Sequence, residues 1–380
     1  MKLLFISGPW RKNNYSISKI CLKFIDLFDP DMNKIIWIAT NMSIDLQPDK
    51  NIDLKNIRHM DSHEIGNSCI KDSYYTILHQ LKISKLIFEL ILFDKVDIII
   101  FCFGSDLSIL PMFLGRIFRK KVILRIEGPP SYVSKMYFGQ KNILVKYPMV
   151  FMEKISYKIA TVIGLEYKKM IELYDLKAYE YKSYVLPLYV PDHFFDSEFK
   201  RFQNRKYDIG YIGRFSKEKG CLNFVHSLPH IKNIDKKAVI MIGDGGLKYE
   251  IRSTLDKAEE LNVELVDWVK YYEIPKYLND IKILVIPSYY EGLPNILPEA
   301  MACGCIILAT PVGGITEVVK DGVNGFIMKD NSSESIAKNI NSIIMHENLR
   351  EIGIKARADV ERRFGYNNVK SQYKKLMDSL

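Results

Sequence analysis

Short apolar runs alternate with longer helical patterns from the start of the chain. The runs are rich in β-branched residues, which is typical of strands buried on both faces of a parallel sheet. The segments between them, notably 72–93 and 142–159, have apolar residues at the helical period. This alternation predicts βαβ units and a parallel sheet covered by helices on both faces. The predicted strands of the first half are 2–7, 34–40, 96–103, 121–127 and 161–166.

The alternation stops once, around YVLPLYVPDHFF (184–195), where two prolines and a loss of periodicity predict a linker. It restarts with YDIGYIGR, so we predict an α/β chain of two Rossmann-like domains. Their cleft, at the carboxyl ends of two sheets, is where such folds bind ligands. The second domain has predicted strands at 207–213, 238–242, 263–269, 282–287 and 305–309, and helices near 220–231, 248–261, 295–302 and 333–364.

Composition excludes a disordered or fibrous chain, because 48% of the 380 residues are apolar and 26% are charged. The formal charge is +9, and up to residue 195 there are 27 Lys and Arg against 20 Asp and Glu. This excess in the first half suits an acidic substrate or an anionic membrane surface, and it equally suits a Lys-rich solvated exterior. No nucleic-acid-binding motif accompanies it, so we expect no nucleic-acid partner.

The six cysteines show neither a metal-site nor a disulfide-framework spacing, which fits a reducing cytoplasm. The first apolar run, LLFI, is too short for the core of a signal peptide. Other apolar runs end well before the roughly 18 residues that a membrane span needs. We therefore expect a cytoplasmic protein, either soluble or peripheral on the inner face of the membrane.

The segment GYIGRFSKEKG runs from a predicted strand into a predicted helix. It places Arg214 and Lys219 where the chain turns at the carboxyl end of the sheet. Two cations beside a helix N-terminus can hold a diphosphate. The alternative is a solvated, Lys-rich loop. The dinucleotide fingerprint GxGxxG does not occur, which disfavours a nicotinamide enzyme.

The segment SYYEGLPNILPEAMACG carries two carboxylates, Glu291 and Glu299, with seven residues between them. Glu291 lies in a predicted loop and Glu299 in the helix that follows. Pro294 suits a first helical turn, so the amides near Asn295 and Ile296 would point outward at an anion. The carboxylates can then accept hydrogen bonds from sugar and ribose hydroxyls on either side of the phosphates.

Five short elements, GR...KG, GDG, E-x7-E, AxxxG and GGxxE, follow one another between residues 207 and 330. In this order and spacing they resemble the retaining glycosyltransferases of family 4, which have the GT-B fold. The resemblance implies two Rossmann-like domains that face each other across a cleft, with the last helix crossing back to the first domain. The first domain would then comprise residues 1–190 and about 366–380, and the second 191–365.

The resemblance also implies roles for the matching residues. Arg214 and Lys219 would neutralise the donor diphosphate. Glu291 would touch the transferred sugar and Glu299 would bind the ribose. The implied donor-binding residues are Gly8, Gly213, Trp268 and Val269, whose backbone would hold the base, together with Gly292, Asn295, Ile296 and Glu299.

Two glycine-rich elements have a purely structural alternative. Gly243 and Gly245 would equally serve a tight turn. Gly313, Gly314 and Glu317 would equally form a turn followed by regular structure. For these residues the sequence leaves both interpretations open.

The first half departs from the family pattern in two places. After the first strand, where members often have a glycine pair, only Gly8 occurs and a proline follows it, although Arg11 would compensate at the donor phosphates. Where many members have a histidine, KVILRIEGPPS has Glu127. This carboxylate would accept the proton of the acceptor hydroxyl or orient the acceptor sugar. The alternative is a structural carboxylate paired with Arg125.

Residues 131–158 mix lysines with aromatic residues. Such a segment can rest on an anionic membrane near a lipid-linked acceptor. The alternative is an ordinary amphipathic helix whose aromatic side belongs to the core. The residues concerned are Lys135, Lys141, Lys146, Lys154 and Lys158, with Tyr132, Tyr137, Phe138, Tyr147 and Phe151.

The sequence thus predicts an enzyme that transfers a sugar, with retention, from a nucleotide-sugar donor to a glycan or lipid-linked acceptor in surface polysaccharide or glycolipid synthesis. UDP is the expected nucleotide. We expect no cofactor and no metal, since the DxD-like run Asp29–Asp31 lies between predicted elements of the wrong domain. One alternative is a non-catalytic GT-B subunit that binds a partner transferase. Another is a GT-B epimerase, which the E-x7-E pattern disfavours.

Overall fold

The chain divides into two compact units, each built on its own parallel sheet. A computed structural model describes residues 2–8, 15–28, 34–40, 52–57, 69–132, 143–196, 202–232, 238–257 and 262–380. The first unit is Met1–Leu188 with Lys370–Leu380, and the second is Tyr189–Val369.

The first unit has a seven-stranded sheet in the order β3-β2-β1-β4-β5-β6-β7, and every pair of neighbours is parallel. Strands β4 and β5 are buried almost throughout, as expected when helices cover both faces. The elements are β1 (Lys2–Ser7), α1 (Tyr15–Ile25), β2 (Lys34–Thr40), β3 (Ile52–Ile57), α2 (Cys69–Phe93), β4 (Ile98–Cys102), α3 (Ile109–Ile117), β5 (Lys121–Ile126), α4 (Ile143–Ile159), β6 (Val162–Leu165), α5 (Met170–Leu173) and β7 (Ser183–Val185).

The second unit has a six-stranded parallel sheet in the order β10-β9-β8-β11-β12-β13. Its elements are β8 (Tyr207–Ile212), α6 (Cys221–Ser227), β9 (Val239–Ile242), α7 (Lys248–Asp256), β10 (Val263–Val266), α8 (Ile274–Leu278), β11 (Ile281–Ile286), α9 (Ile296–Ala302), β12 (Ile306–Ala309), α10 (Ile315–Val318), β13 (Phe326–Ile327), α11 (Ser333–Ile344) and α12 (Leu349–Phe364), and the chain ends with α13 (Tyr366–Asp378).

Alternate residues of each strand supply two separate cores, one on each face of the second sheet. On β9, Ile240 and Ile242 belong to one core, while Val239 and Met241 belong to the other. This follows from the two-residue period of a strand, which points successive side chains to opposite faces. A strand with two buried faces is therefore apolar at most positions, which explains the long apolar runs in the sequence.

The end of α13 packs on the first unit through Tyr373. This side chain is buried, and its ring meets Phe24 and Phe28 edge-on, with centroids 5.6 Å away in both cases. Its hydroxyl donates to the carbonyl oxygens of Leu186 (2.9 Å) and Pro187 (3.2 Å). A buried tyrosine with its hydroxyl satisfied fixes the last helix in place.

The structure differs from the predicted elements in a few places. The helix predicted over 333–364 is two helices, because the chain turns at Met345 to Asn348. Strand β10 ends at Val266, so Trp268 and Val269 lie in the following loop rather than in a strand. Strand β7 (Ser183–Val185) overlaps the start of the predicted linker. None of the helices in the described ranges combines the length and apolar character that a membrane crossing requires.

Candidate functional site

The strand order identifies where a ligand would bind in the second unit. The chain winds from β8 outward to β10 on one side and then returns to β11 on the other side of β8. At such a switch point, the loops after the two central strands diverge and leave a crevice at the carboxyl edge of the sheet. The relevant loops are 213–220 after β8 and 287–295 after β11.

These two loops contact each other through backbone atoms. The amide of Tyr289 donates to the carbonyl oxygen of Glu218 at 2.9 Å. Gly220 has a φ of +65°, and a Cβ atom there would lie 2.0 Å from the carbonyl oxygen of Pro287. Only glycine permits this approach in this conformation. An open pocket borders the junction and is lined by Lys217, Gly220, Asn223, Leu247 and Tyr289, among others.

The junction brings Lys219 and Glu291 into a salt bridge between Nζ and Oε1. The same Oε1 accepts a hydrogen bond from the Ser288 hydroxyl at 2.9 Å. The carbonyl oxygen of Ser288 in turn accepts from the Thr310 hydroxyl at 2.6 Å. Lys219 and Glu291 expose only 25% and 11% of their side chains, so both are held in place. The sequence predicted both residues but not their pairing.

A third loop, after β12, supports the backbone of Glu291. Gly313 has a φ of +53°, and a Cβ atom there would lie 2.0 Å from the carbonyl oxygen of Glu291. The amide of Gly314 donates to the carbonyl oxygen of Gly292 at 2.7 Å. A turn does lead into α10 here, and its glycines also permit contact with the loop that carries Glu291.

Glu299 is the fourth residue of α9 and is 4% exposed. Its Oε1 accepts a hydrogen bond from the Tyr271 hydroxyl at 2.5 Å. Burial, followed by the charge of Glu299, raises the pKa of Tyr271 well above its ordinary value, so the hydroxyl stays protonated and donates. Sequence reasoning missed Tyr271. It follows β10 in the chain, and its position after a strand end was the available signal.

Other predicted donor residues of the second unit also lie at this edge. Arg214 exposes 62% of its side chain and lies 3.5 Å from a carboxylate oxygen of Glu218. Trp268 is exposed and Val269 is partly buried against the core. Asn295 and Ile296 stand at the start of α9, so Pro294 precedes the helix rather than forming its first turn.

The GDG element fits closely against the loop after β8. A Cβ atom on Gly243 would lie 1.9 Å from the carbonyl oxygen of Gly213, and one on Gly245 would lie 2.5 Å from that of Phe215. Both glycines have a left-handed φ, +157° and +149°. The tight-turn interpretation therefore accounts for these two glycines, which position Gly213.

In the first unit, Gly8 and Glu127 both follow strands at the carboxyl edge of the sheet. Gly8 has a φ of 105°, and its amide donates to the carbonyl oxygen of Phe103 at 3.1 Å. Glu127 forms a salt bridge with Arg125, whose other terminal nitrogen lies 3.1 Å from Glu166. Glu166, which follows β6, was not predicted. One fully buried guanidinium thus holds two strand-end carboxylates.

The ion pair with Arg125 does not fully cover Glu127, which keeps 27% of its side chain exposed. Burial raises the pKa of Glu127 to about 7, even though the Arg125 guanidinium acts in the opposite direction, and Glu166 adds to the rise. The amide of Phe103 also donates to Glu127, at 3.2 Å. The pairing with Arg125 that the sequence offered as a structural alternative is therefore present. It leaves a partly buried carboxyl whose protonation changes near neutral pH.

The mixed basic and aromatic segment is described only in part. Arg11, Asp29–Asp31, Lys135, Tyr137, Phe138 and Lys141 lie outside the described residues, as does the side chain of Lys146. Tyr147 and Phe151 are 67% and 66% exposed, so the interpretation that the aromatic side of this helix belongs to the core is wrong for both.

A family comparison identifies the second unit. Residues 192–359 match the model for glycosyl transferases group 1. This part of the chain is similar to that glycosyltransferase family. The matched range contains β8 to β13 and every predicted donor-site residue except Gly8. The resemblance drawn from the sequence is confirmed at this level.

Individual relatives agree with the family match. MJ1178, an uncharacterized glycosyltransferase of Methanocaldococcus jannaschii, is 29% identical over 177 residues, which cover 45% of this chain and 49% of that protein. CapM of Staphylococcus aureus, a capsular polysaccharide biosynthesis glycosyltransferase, is 30% identical over 179 residues, covering 44% of this chain and 45% of CapM. The matched region thus spans about half the length of these curated relatives.

Structural likeness extends over the whole chain. The crystal structure of Anabaena Alr3699/HepE in complex with UDP matches with a TM-score of 0.76 at 17% identity, and the match covers 100% of both chains. The predicted α/β class with two Rossmann-like GT-B domains is confirmed.

Proposed function

We propose that this protein transfers a sugar from a nucleotide-sugar donor to a glycan or lipid-linked acceptor, with retention of anomeric configuration and without a metal. The observation that carries the proposal is the salt bridge between Lys219 and Glu291 at the switch point of the second sheet. It places a cation and a carboxylate side by side, and the helix that follows Glu291 carries a second, buried carboxylate, Glu299.

The donor fits these groups in order along the site. Glu299 accepts hydrogen bonds from the ribose, and Tyr271 orients it for that role. Lys219 and Arg214 face the diphosphate, and the backbone near Trp268 holds the base. The diphosphate competes with Glu291 for Lys219, which frees a carboxylate oxygen to accept hydrogen bonds from the transferred sugar.

In the reaction the bond between the anomeric carbon and the diphosphate oxygen breaks, and the acceptor oxygen bonds to that carbon on the same face. Negative charge develops on the departing diphosphate and positive charge on the sugar ring. Lys219 and Arg214 stabilise the negative charge on the departing diphosphate. Stabilisation of developing charge by groups already in place is usually the largest contribution of a protein to the rate of such a step. The proton of the acceptor hydroxyl passes to a base, and we assign Glu127 to this role.

Two relatives support the choice of substrates. Solved structures of Anabaena HepE contain UDP, or UDP-glucose, which favours a UDP-linked donor here. The name of CapM refers to capsular polysaccharide biosynthesis, which favours a growing surface glycan or its lipid-linked precursor as acceptor.

The non-catalytic subunit remains a second candidate, because a single glycine follows β1 and Glu127 replaces the family's histidine. One experiment separates the candidates: the full chain is incubated with radiolabelled nucleotide sugars and an extract of glycan and lipid acceptors. Label in the acceptor supports transfer. Release or isomerisation of the sugar without transfer indicates the epimerase, and an unchanged donor indicates the non-catalytic subunit.

Metal independence is a first testable prediction. Two cationic side chains, Lys219 and Arg214, already face the proposed diphosphate position, so removal of divalent ions takes away no essential charge. We expect saturating EDTA to leave the rate of transfer within about twofold of the untreated rate. Loss of activity in EDTA that manganese restores would contradict the proposed mechanism.

A second prediction concerns the pH dependence of transfer. A base must be ionised to accept a proton, and the pKa of Glu127 is raised to about 7. The rate for the wild-type protein should therefore rise with pH through about pH 7. Glu127→Gln should transfer at least roughly tenfold more slowly and lack this rise, because its amide does not ionise.

Donor affinity provides the control for Glu127→Gln. The donor is assigned to the second unit, so calorimetric titration should give wild type and variant the same affinity for the nucleotide. Equal transfer rates in the two proteins would show that Glu127 is only the partner of Arg125. A parallel loss of donor affinity would indicate that Glu127 contacts the donor instead of the acceptor.

A further inference from the structure

Helix α2 exposes an apolar stripe to solvent in addition to the one it buries. Ile83 and Ile87 point into the core, whereas Ile77, Leu81 and Phe88 are 58%, 49% and 42% exposed, as is Leu92 at 50%. At 100° per residue these four exposed side chains fall within an arc of roughly 60°. A helix covering a sheet ordinarily presents polar residues on its outer face.

Helix α3 continues this stripe beside α2. Leu110, Phe113 and Ile117 are exposed at spacings of three and four residues, which aligns them on one face. The two helices pack against each other, and the amide of Leu110 donates to the Gln80 Oε1 at 3.1 Å. The exposed apolar side chains of α2 and α3 therefore belong to neighbouring helices.

Helix α4 packs on the other side of α3 and adds a stripe of mixed character. Tyr147 and Phe151 are exposed in its first half, and Lys154 and Lys158 are exposed in its second half. Spacings of four, three and four residues place all four side chains on one face. We call the exposed apolar side chains of α2, α3 and α4 the apolar face.

The charges around the apolar face have one dominant sign. Among the described side chains of the three helices and the turns after α2 and α3, the acidic residues that reach solvent are Glu89, Asp94 and Asp97. Glu89 lies 4.0 Å from Lys85. Glu153 is buried and accepts hydrogen bonds from Ser131. The exposed cations outnumber these acidic residues and are Lys82, Lys85, Lys95, Arg116, Arg119, Lys154 and Lys158.

We propose that the apolar face rests on an anionic phospholipid bilayer. Its aliphatic and aromatic side chains would enter the boundary between headgroups and acyl chains, and its cations would contact the lipid phosphates. A second copy of the chain is a poorer occupant, because pairing two such faces brings cations against cations. The inference goes beyond the proposed reaction, since it concerns a surface of the first unit that holds none of the assigned groups.

The experiment is co-sedimentation of the full chain with vesicles of phosphatidylcholine alone or mixed with phosphatidylglycerol. We expect binding to the mixed vesicles, weakened at least about tenfold by the double change Phe113→Ser with Ile117→Ser. Ile354→Ser is the matched control, because Ile354 is 48% exposed on α12 of the second unit. It should bind as the wild type does.

A charge variant keeps the test independent of the apolar substitutions. Lys154→Glu with Lys158→Glu should abolish the preference for phosphatidylglycerol, while Lys276→Glu, at an exposed position on α8, should not. The proposal is overturned if the wild-type protein does not bind the mixed vesicles, or if the wild type and all variants bind them with equal affinity. It is also overturned if light scattering shows a dimer that Phe113→Ser with Ile117→Ser converts to a monomer.

Discussion

Replacing Lys219 by alanine is expected to lower the rate of transfer at least roughly tenfold. The change removes a charge-assisted contact to the departing diphosphate, worth about 1.5 to 3 kcal/mol, and each 1.4 kcal/mol corresponds to about tenfold in rate. It also removes the partner of Glu291, which then keeps only the Ser288 hydroxyl of its two contacts at Oε1. Steady-state kinetics with saturating acceptor measure this effect.

Lys338 provides the matched control for Lys219→Ala. It is exposed to solvent on α11 of the same unit, a helix that carries none of the assigned site groups. Lys338→Ala should stay within about twofold of the wild-type rate, since the loss of one exposed charge is screened by water. A correctly folded Lys219→Ala protein with full turnover would show that the diphosphate is not bound at Lys219.

Gly313→Ala is expected to affect both stability and turnover, although it adds a single methyl group. The residue has a left-handed φ, and the new Cβ atom would lie 2.0 Å from the carbonyl oxygen of Glu291. We expect the free energy of unfolding to fall by about 2 to 4 kcal/mol, from backbone strain and overpacking together. Turnover should fall up to about a hundredfold, because the loop that carries Glu291 must shift.

Gly322→Ala distinguishes the effect of backbone strain from that of a steric clash. Gly322 has a similar φ of +68°, but a Cβ atom there meets nothing within 4 Å. Thermal unfolding should show a loss of only about 1 to 2 kcal/mol, and turnover should be unchanged. If Gly313→Ala and Gly322→Ala behaved alike in both measurements, contact between the loops after β11 and β12 would not determine the geometry of the site.

The fold was predictable because strands buried on both faces are apolar at most positions. Such strands are recognisable as continuous runs, as in β4, β5, β11 and β12. Strands that are only partly buried lack this signal. Strand β3 has the mixed sequence IDLKNI, and β7 has Tyr184 and Val185 exposed, so neither was predicted.

The site was predictable at the level of residues but not of contacts. Lys219 and Glu291 carry chemistry that their sequence spacing suggests, yet their salt bridge joins loops 72 positions apart in the chain. The same limit hid Tyr271 and Glu166, whose partners Glu299 and Arg125 lie 28 and 41 positions away in the sequence. Spacing along a chain indicates which groups share an element, whereas pairing between elements depends on strand order.

The glycines show a further limit of sequence reasoning. The pattern alone leaves Gly243, Gly245 and Gly313 open to a binding role or to a turn. Only the distance from an added Cβ atom to a neighbouring carbonyl shows that each permits two loops to touch. The need for glycine therefore comes from a nearby backbone that local sequence does not reveal.

Calorimetric titration of nucleoside diphosphates into the full chain measures whether the second unit binds the diphosphate of a nucleotide sugar at Lys219. We expect UDP to bind at one site per chain, with an affinity at least roughly tenfold weaker in Lys219→Ala and unchanged in Lys338→Ala. Failure of UDP, GDP and ADP alike to bind the wild-type protein, or equal affinity in Lys219→Ala, would contradict binding at this residue.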